Sequence, residues 1–187
     1  MRALVTHLDE EPREYTGREL RSHFALETYG LHGDSCVAFL GPAHLGPEAM
    51  VDLEDVREGE TIESRRMLHL IAEHFEEGLT TTVLRQRLLV HLAGDLLRRE
   101  SGCDVRVTGD DLYLGDRKLS VSIATRSPLS GLIHLGVNVT GEGAPVKAGG
   151  LDDLGLDPFG VARELLELYR EECESVHWAA RKTRWVR

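Results

Sequence analysis

The chain has 187 residues, is 41% hydrophobic and 29% charged, and carries a formal net charge of −10. That is enough apolar material for one compact domain over residues 1–187, and the acidic balance speaks against general nucleic-acid binding, which wants a basic stripe along the phosphates. Cys36, Cys103 and Cys173 are an odd set without C-x-x-C spacing, so neither a disulfide framework nor a zinc ribbon is expected; with no apolar run of membrane length and no secretory segment, the cytoplasm is the expected location.

Taken in chain order, residues 2–7 read as a first strand and Thr16 to Tyr29 as a helix. Cys36 to Leu40 reads as a strand, the Gly41-Pro42 and Gly46-Pro47 pairs bound a loop, and Met50 to Leu53 reads as a short further strand. Thr61 to Glu76 is expected to be helical. It contains His69-Leu70-Ile71-Ala72-Glu73-His74, where the two histidines are five residues apart instead of the four that would aim both at one metal, so no zinc site is expected.

Thr81 to Arg99 has a broad apolar arc formed by Leu84, Leu88, Leu89, Leu92, Ala93, Leu96 and Leu97. Arg85 falls at the centre of that arc, near the helix N-terminus, where a cation is disfavoured. It is expected either to meet a carboxylate or phosphate, which would make it a ligand for an acidic substrate, or to reach past the helix end to a glutamate.

Asp111 to Leu114, a Gly115-Asp116 turn and Arg117-Lys118 make a tight hairpin with glycine first in the turn. Tyr113 then faces Lys118, and Asp111 faces Ser120. Continued alternation sends Leu119, Val121 and Ile123 one way and Lys118, Ser120 and Ser122 the other. After a Pro128/Gly131 loop, Ile133, Leu135, Val137 and Val139 alternate with His134, Gly136 and Asn138. Three neighbouring strands are thus expected to share one polar face, with small residues leaving room for a ligand beside a lysine. The last helix runs from Pro158 to His177 with Asp157 as its N-cap. Arg181, Lys182, Arg184 and Arg187 follow it and are expected to complement the helix dipole or charge an edge strand.

Residues 80 to 140 resemble the superfamily of biotin protein ligases, lipoate protein ligases and octanoyl transferases, related in fold to class II aminoacyl-tRNA synthetase catalytic domains. The matching segments are Gly109-Asp110-Asp111-Leu112-Tyr113, Arg117-Lys118-Leu119-Ser120-Val121 and His134-Leu135-Gly136-Val137-Asn138-Val139. Over its whole length, including Gly33-Asp34-Ser35 and Val51-Asp52-Leu53-Glu54-Asp55, the chain is more similar to an uncharacterised prokaryotic family, a domain of unknown function.

The resemblance implies an α+β fold with a mixed, largely antiparallel sheet packed by helices. It implies Lys118 as the catalytic residue and Asp111 as the aspartate of the family's Asn-Asp pair. Asp111, Tyr113, Ser120, Ser122, His134, Gly136, Asn138 and Arg85 are the candidate substrate-binding residues. The implied chemistry is ATP- and magnesium-dependent activation or transfer of a small carboxylic acid, with an acceptor protein and a second copy of the chain as partners and no structural metal. A cysteine nucleophile of the transferase type is missing from residues 140 to 160. No Gly-Arg-Gly-type adenylate-binding segment occurs upstream, so the alternative is a non-catalytic protein that binds a small acid or nucleotide on the same fold.

Overall fold

The computed structural model describes residues 4–75 and 78–186. Its centre is a five-stranded sheet, and the middle strand of that sheet is where sequence pattern and structure disagree most. The segment expected to be a helix from Thr61 is β3, Ile62–Phe75; Glu76, the end of that expectation, lies outside the described residues. Residues Met67 to Ala72 are all buried because both faces of β3 are covered. A strand buried on both sides loses the apolar-polar alternation, and its run of Arg, Met, Leu and Ala then imitates a helix.

β1, Val5–Asp9, pairs in parallel with β2, Ser35–Leu45, which lies antiparallel to β3. Residues 2 and 3 of the expected first strand lie outside the described residues. β2 runs straight through the Gly41-Pro42 pair that reads as a loop, by way of a bulge between Gly41 and Ala43. Glycine is required there because residues 13 to 15 cross this spot. A Cβ on Gly41 would lie 1.8 Å from the Arg13 carbonyl oxygen, where Arg13 N–H donates to Leu40 O and Tyr15 N–H to Pro42 O. Gly41→Ala is therefore expected to lower the unfolding free energy by about 3 kcal/mol, seen as an earlier urea midpoint. An unchanged midpoint would show that the crossing segment is free to move aside.

The helix expected from Thr16 is confined to α1, Phe24–Tyr29. His23, at its N-cap, sits at φ 64, a left-handed conformation that prevents the helix from starting earlier. The strand expected at Met50 to Leu53 is instead the lead-in to α2, Leu53–Glu58. Asp52 caps it by accepting the Glu54 N–H at 2.8 Å, a signal present in the sequence as an aspartate before two acidic first-turn residues.

α3, Leu79–Ser101, extends the expected helix by one short step at each end. A small antiparallel sheet follows, of β4, Val105–Thr108, β5, Asp111–Leu114, and β6, Arg117–Lys118. β7, Ser120–Arg126, and β8, Ser130–Asn138, complete the large sheet in the order β1-β2-β3-β8-β7. After the short α4, Leu151–Leu154, α5 spans Pro158–Ala179, with the Asp157 carboxylate accepting the Gly160 N–H at 2.7 Å as expected. Arg181 folds back to donate to the His177 carbonyl, the helix-end role expected of the basic C-terminal residues; Arg187 lies outside the described residues.

The fold is thus α+β with a mixed, largely antiparallel sheet. α3 and α5 cover one face, where Leu68, Leu70, Ile133, Leu135 and Val137 meet Leu89, Leu96, Leu165 and Tyr169 in the main core. The opposite face carries a second apolar cluster of Tyr15, Phe24, Val37, Phe39, Met67 and Ile71. Among the described residues no helix is long and apolar enough to cross a membrane.

Candidate functional site

The hairpin forms in the expected register: Tyr113 pairs with Lys118 and Leu114 with Arg117, and Gly115 takes the positive φ of 64 that the turn requires. Lys118 Nζ reaches the Asp111 carboxylate at 3.0 Å, and the Tyr113 hydroxyl donates to the same carboxylate at 3.4 Å. Burial alone would lower the lysine pKa. The charge and hydrogen bond of Asp111, with Tyr113 and Asp110 beyond it, outweigh burial and hold the ammonium above the ordinary lysine range.

Beyond Lys118 the strand does not continue as one ladder. Leu119 is buried and bridges the two sheets, its N–H donating to Leu112 O and its carbonyl accepting from Asn138 N–H. The chain then joins the large sheet in a register that sets Val121 opposite Gly136 and Ile123 opposite His134. Directly opposed residues share a face. Val121 and Ile123 therefore share the face of His134, Gly136 and Asn138, and the expected single polar face with Ser120 and Ser122 does not form. Ser120 instead accepts the Leu112 N–H, not a pairing with Asp111. Ser122 accepts from Gln86 of α3 and donates to the Asp110 carbonyl.

Both serines still border the site because β7 is an edge strand. Lys118, Asp111, Ser120, Ser122, His134 and Asn138 all line one cavity of about 480 Å³. Its apolar walls come from Tyr15, Leu45, Met50, Ile62, Met67 and Val121, with Met50 in the β2–β3 connection that carries α2. Asp52, Asp55, Glu60, Glu63, Asp110 and Asp111 also line it, and Lys118 is the only lysine or arginine among the lining residues. Burial and the neighbouring charges of Asp52 and Glu60 raise the Asp55 carboxyl above its usual range, with Lys118 pulling the other way.

Three expected ligands stand apart from this lining. Tyr113 holds Asp111 from behind, under the Arg106 guanidinium. Gly136 matters by having no side chain, since a Cβ there would lie 2.3 Å from Met67 Sδ. Arg85 is on the helix-covered side, where its Nη1 donates to Cys173 Sγ at 3.4 Å. Burial pushes the Asp34 carboxyl upward, but His74 at 3.5 Å, the Phe75 N–H donated to it at 3.0 Å and the charge of Arg85 together hold it below its usual range.

His69 is the residue that sequence reasoning placed least well. As part of a strand it points to the cavity face, where Nε2 lies 3.3 Å from Gly41 O and Nδ1 lies 3.1 Å from His134 Nε2. A carbonyl only accepts, so His69 Nε2 carries the proton. Burial drives the His69 pKa down to about 3 and holds His134 well below the ordinary value, so both rings are neutral. The His69 Nδ1 is then an acceptor, His134 Nε2–H is its donor, and His134 Nδ1 is left as a bare acceptor. Tyr15, for which the sequence offered no signal, stacks on His134 with ring centroids 3.9 Å apart.

A model of the family described as "Domain of unknown function (DUF366)" matches residues 4–184. The uncharacterized protein MJ0805 of Methanocaldococcus jannaschii is 38% identical over 177 residues, covering 91% of this chain and 80% of that protein. A solved protein of unknown function from Pyrococcus horikoshi is also 38% identical and superposes with a TM-score of 0.95 over 99% of this chain and 100% of its own. Fold alone relates the chain to two others. Protein Ta0514 of T. acidophilum with bound lipoic acid has a TM-score of 0.60 at 15% identity, over 91% of this chain and 86% of that one. A lipoate-protein ligase A bound with ATP has a TM-score of 0.56 at 14% identity, over 90% and 85% respectively.

Proposed function

We propose that this chain, which belongs to the DUF366 family, binds a small carboxylic acid in the β7–β8 cavity and activates it with ATP presented as a magnesium complex. The observation that carries the reading is the Lys118 ammonium, held by Asp111 at 3.0 Å and the one lysine or arginine lining a cavity that also has an apolar wall of Tyr15, Leu45, Met50, Ile62, Met67 and Val121. A single fixed cation matches the single charge of a carboxylate, and the apolar walls match an acyl chain. The fold neighbours bound with lipoic acid and with ATP support the same assignment.

The lining tests the nucleotide directly. A free triphosphate would meet six carboxylates and one lysine, so it does not fit uncomplexed. A magnesium complex does fit, because carboxylates are hard oxygen ligands and this ion is held by one or two of them together with substrate phosphates and water. Among the described residues no group of three or more His, Cys, Asp or Glu could hold a metal ion. Asp55, crowded by Asp52 and Glu60, and Asp110 and Asp111 beside Lys118 are the carboxylates placed for the magnesium complex. When bound, magnesium neutralises phosphate charge. A carboxylate oxygen of the acid then attacks the α-phosphorus while the bond to the bridging oxygen of pyrophosphate breaks, and Lys118 stabilises the charge that builds on the phosphate oxygens.

The lack of a Gly-Arg-Gly-type segment upstream favours one second reading, an acid-binding protein that uses no nucleotide. Calorimetric titration of magnesium-ATP, with and without a panel of short acids, separates the two. Saturable binding accompanied by acid-dependent exchange of pyrophosphate into ATP is expected. Acid binding with no nucleotide binding in any order of addition would establish the second reading instead.

A further inference from the structure

A second cavity, of about 500 Å³, opens toward the other end of β3 and shares no lining residue with the first. Met67 of the first cavity and Glu73 of the second are six residues apart on one strand, about 20 Å at the usual rise. Val5, Leu26, Leu31 and Phe75 give it apolar walls. Glu73 is the only carboxylate among its lining residues, and none of them is a lysine or arginine.

Glu73 is 4% exposed. Its Oε1 accepts from Ser130 Oγ at 2.6 Å and from the His23 N–H at 3.1 Å, and Oε2 shares that same N–H at 3.0 Å. Ser22 Oγ lies 3.1 Å from Ser130 Oγ, so the carboxylate is held in place from behind by a hydroxyl network. All of these donors are neutral, and among the described residues no cation is paired with Glu73. A carboxylate accepts up to about four hydrogen bonds, so half of one N–H leaves Oε2 with acceptor capacity to spare. A carboxylate buried without a cation is costly. Beside it, the His23 ring stacks on Phe75 with centroids 5.6 Å apart, and its Nδ1 is buried with no hydrogen-bond partner among the described residues. Two neighbouring polar groups thus lack a donor at one cavity.

We infer that this second cavity binds a primary ammonium ion carried on a compact apolar body. The ammonium supplies the missing charge and donates to Glu73 Oε2 and His23 Nδ1, while the apolar body lies against Leu26, Leu31 and Phe75. An anion finds no lysine or arginine here, and a neutral molecule leaves Glu73 without a cation. The inference stands apart from the proposed function, since neither Lys118 nor any residue assigned to the acid lines this cavity.

The test titrates the whole protein with cyclohexylammonium chloride, and with cyclohexanol as a neutral counterpart of similar shape, followed by the backbone amide shifts of His23, Ser35 and Glu73. Saturable binding of the ammonium is expected, with cyclohexanol weaker by about tenfold or more. Glu73→Gln keeps an oxygen for the His23 N–H but removes the charge, and it is expected to weaken the ammonium by about tenfold. Leu26→Trp, at a wall position that is 37% exposed, fills the cavity and is expected to weaken it by about fivefold, which decides the matter even if Glu73→Gln fails to fold. Competition by Nα-acetyl-lysine amide identifies the source: displacement assigns a lysine side chain of another protein, no displacement a free amine, and the site stands in both cases. No saturable binding, equal binding of cyclohexanol, or full affinity in Leu26→Trp or in a folded Glu73→Gln would overturn it. Because the probe touches no residue of the first cavity, its failure and a failure of the proposed function are read separately.

Discussion

Lys118→Ala is expected to keep its fold and to lose a hundredfold or more of acid-dependent ATP–pyrophosphate exchange. Removing a preorganised donor at a developing charge raises a barrier by about 3 kcal/mol, which is a factor of about a hundred in rate. The side chain is a third exposed and its partner Asp111 a quarter exposed, so the truncation opens no core cavity. The backbone contribution survives, because Lys118 N–H donates to Lys147 O and its carbonyl accepts from Gly149 whatever the side chain. Circular dichroism should therefore be unchanged while kcat falls.

Two companions sharpen this result. Asp111→Asn keeps the shape and an acceptor oxygen for Tyr113 but removes the charge that holds the ammonium. It is expected to lower kcat by about tenfold, less than loss of the lysine itself, since the cation remains. The raised pKa of Lys118 also implies that activity does not fall through loss of its proton until pH exceeds the ordinary lysine range. Exchange that survives in Lys118→Ala, in a folded protein, would remove Lys118 from the chemistry.

The second large effect concerns acid. Stability is expected to decline steadily as pH falls below about 6.5, well before carboxylates protonate. His69 titrates near 3 in the folded chain and His134 well below its ordinary value, both chiefly because of burial. In the unfolded chain each histidine takes up a proton near pH 6.5. The unfolded state thus binds more protons between the two values, and each histidine costs roughly 1 to 2 kcal/mol of stability per pH unit descended. The stabilisation is complete above pH 6.5 and is lost on the way down.

Carboxyls held low in the fold, such as Asp34 and Asp153, act in the same direction but only once pH approaches their unfolded values near 4. Urea unfolding at pH 7, 6 and 5 isolates the histidine window. A midpoint that is flat across it would mean that the rings charge inside the fold, and the neutral His69–His134 pair would be wrong.

The parts of this protein written in local chemistry were legible in the chain. Asp157 before Pro158 marks the start of α5, and the glycine-first turn at Gly115 sets Tyr113 opposite Lys118. The apolar arc of α3 fixed its extent within two residues at either end. Each of these depends on neighbours within a few positions, so the pattern and the structure share one cause. The resemblance around Lys118 added the fold, which the solved neighbours bear out.

What only the tertiary structure decided lies at longer range. β3 is a strand because two strands and two apolar layers enclose it, and that enclosure erases the alternation by which a strand is recognised. Crossing from the small sheet to the large one at Leu119 reversed which of Ser120 and Val121 faces Gly136, since one residue of register turns every side chain over. Tyr15, His69 and His134 come from segments far apart in the chain, and they meet because Gly41 lets one segment pass close beside another. Spacing along a sequence carries information about neighbours within a helix turn or a hairpin; the enclosure of a buried strand and the meeting of distant side chains are set by the packing of the whole.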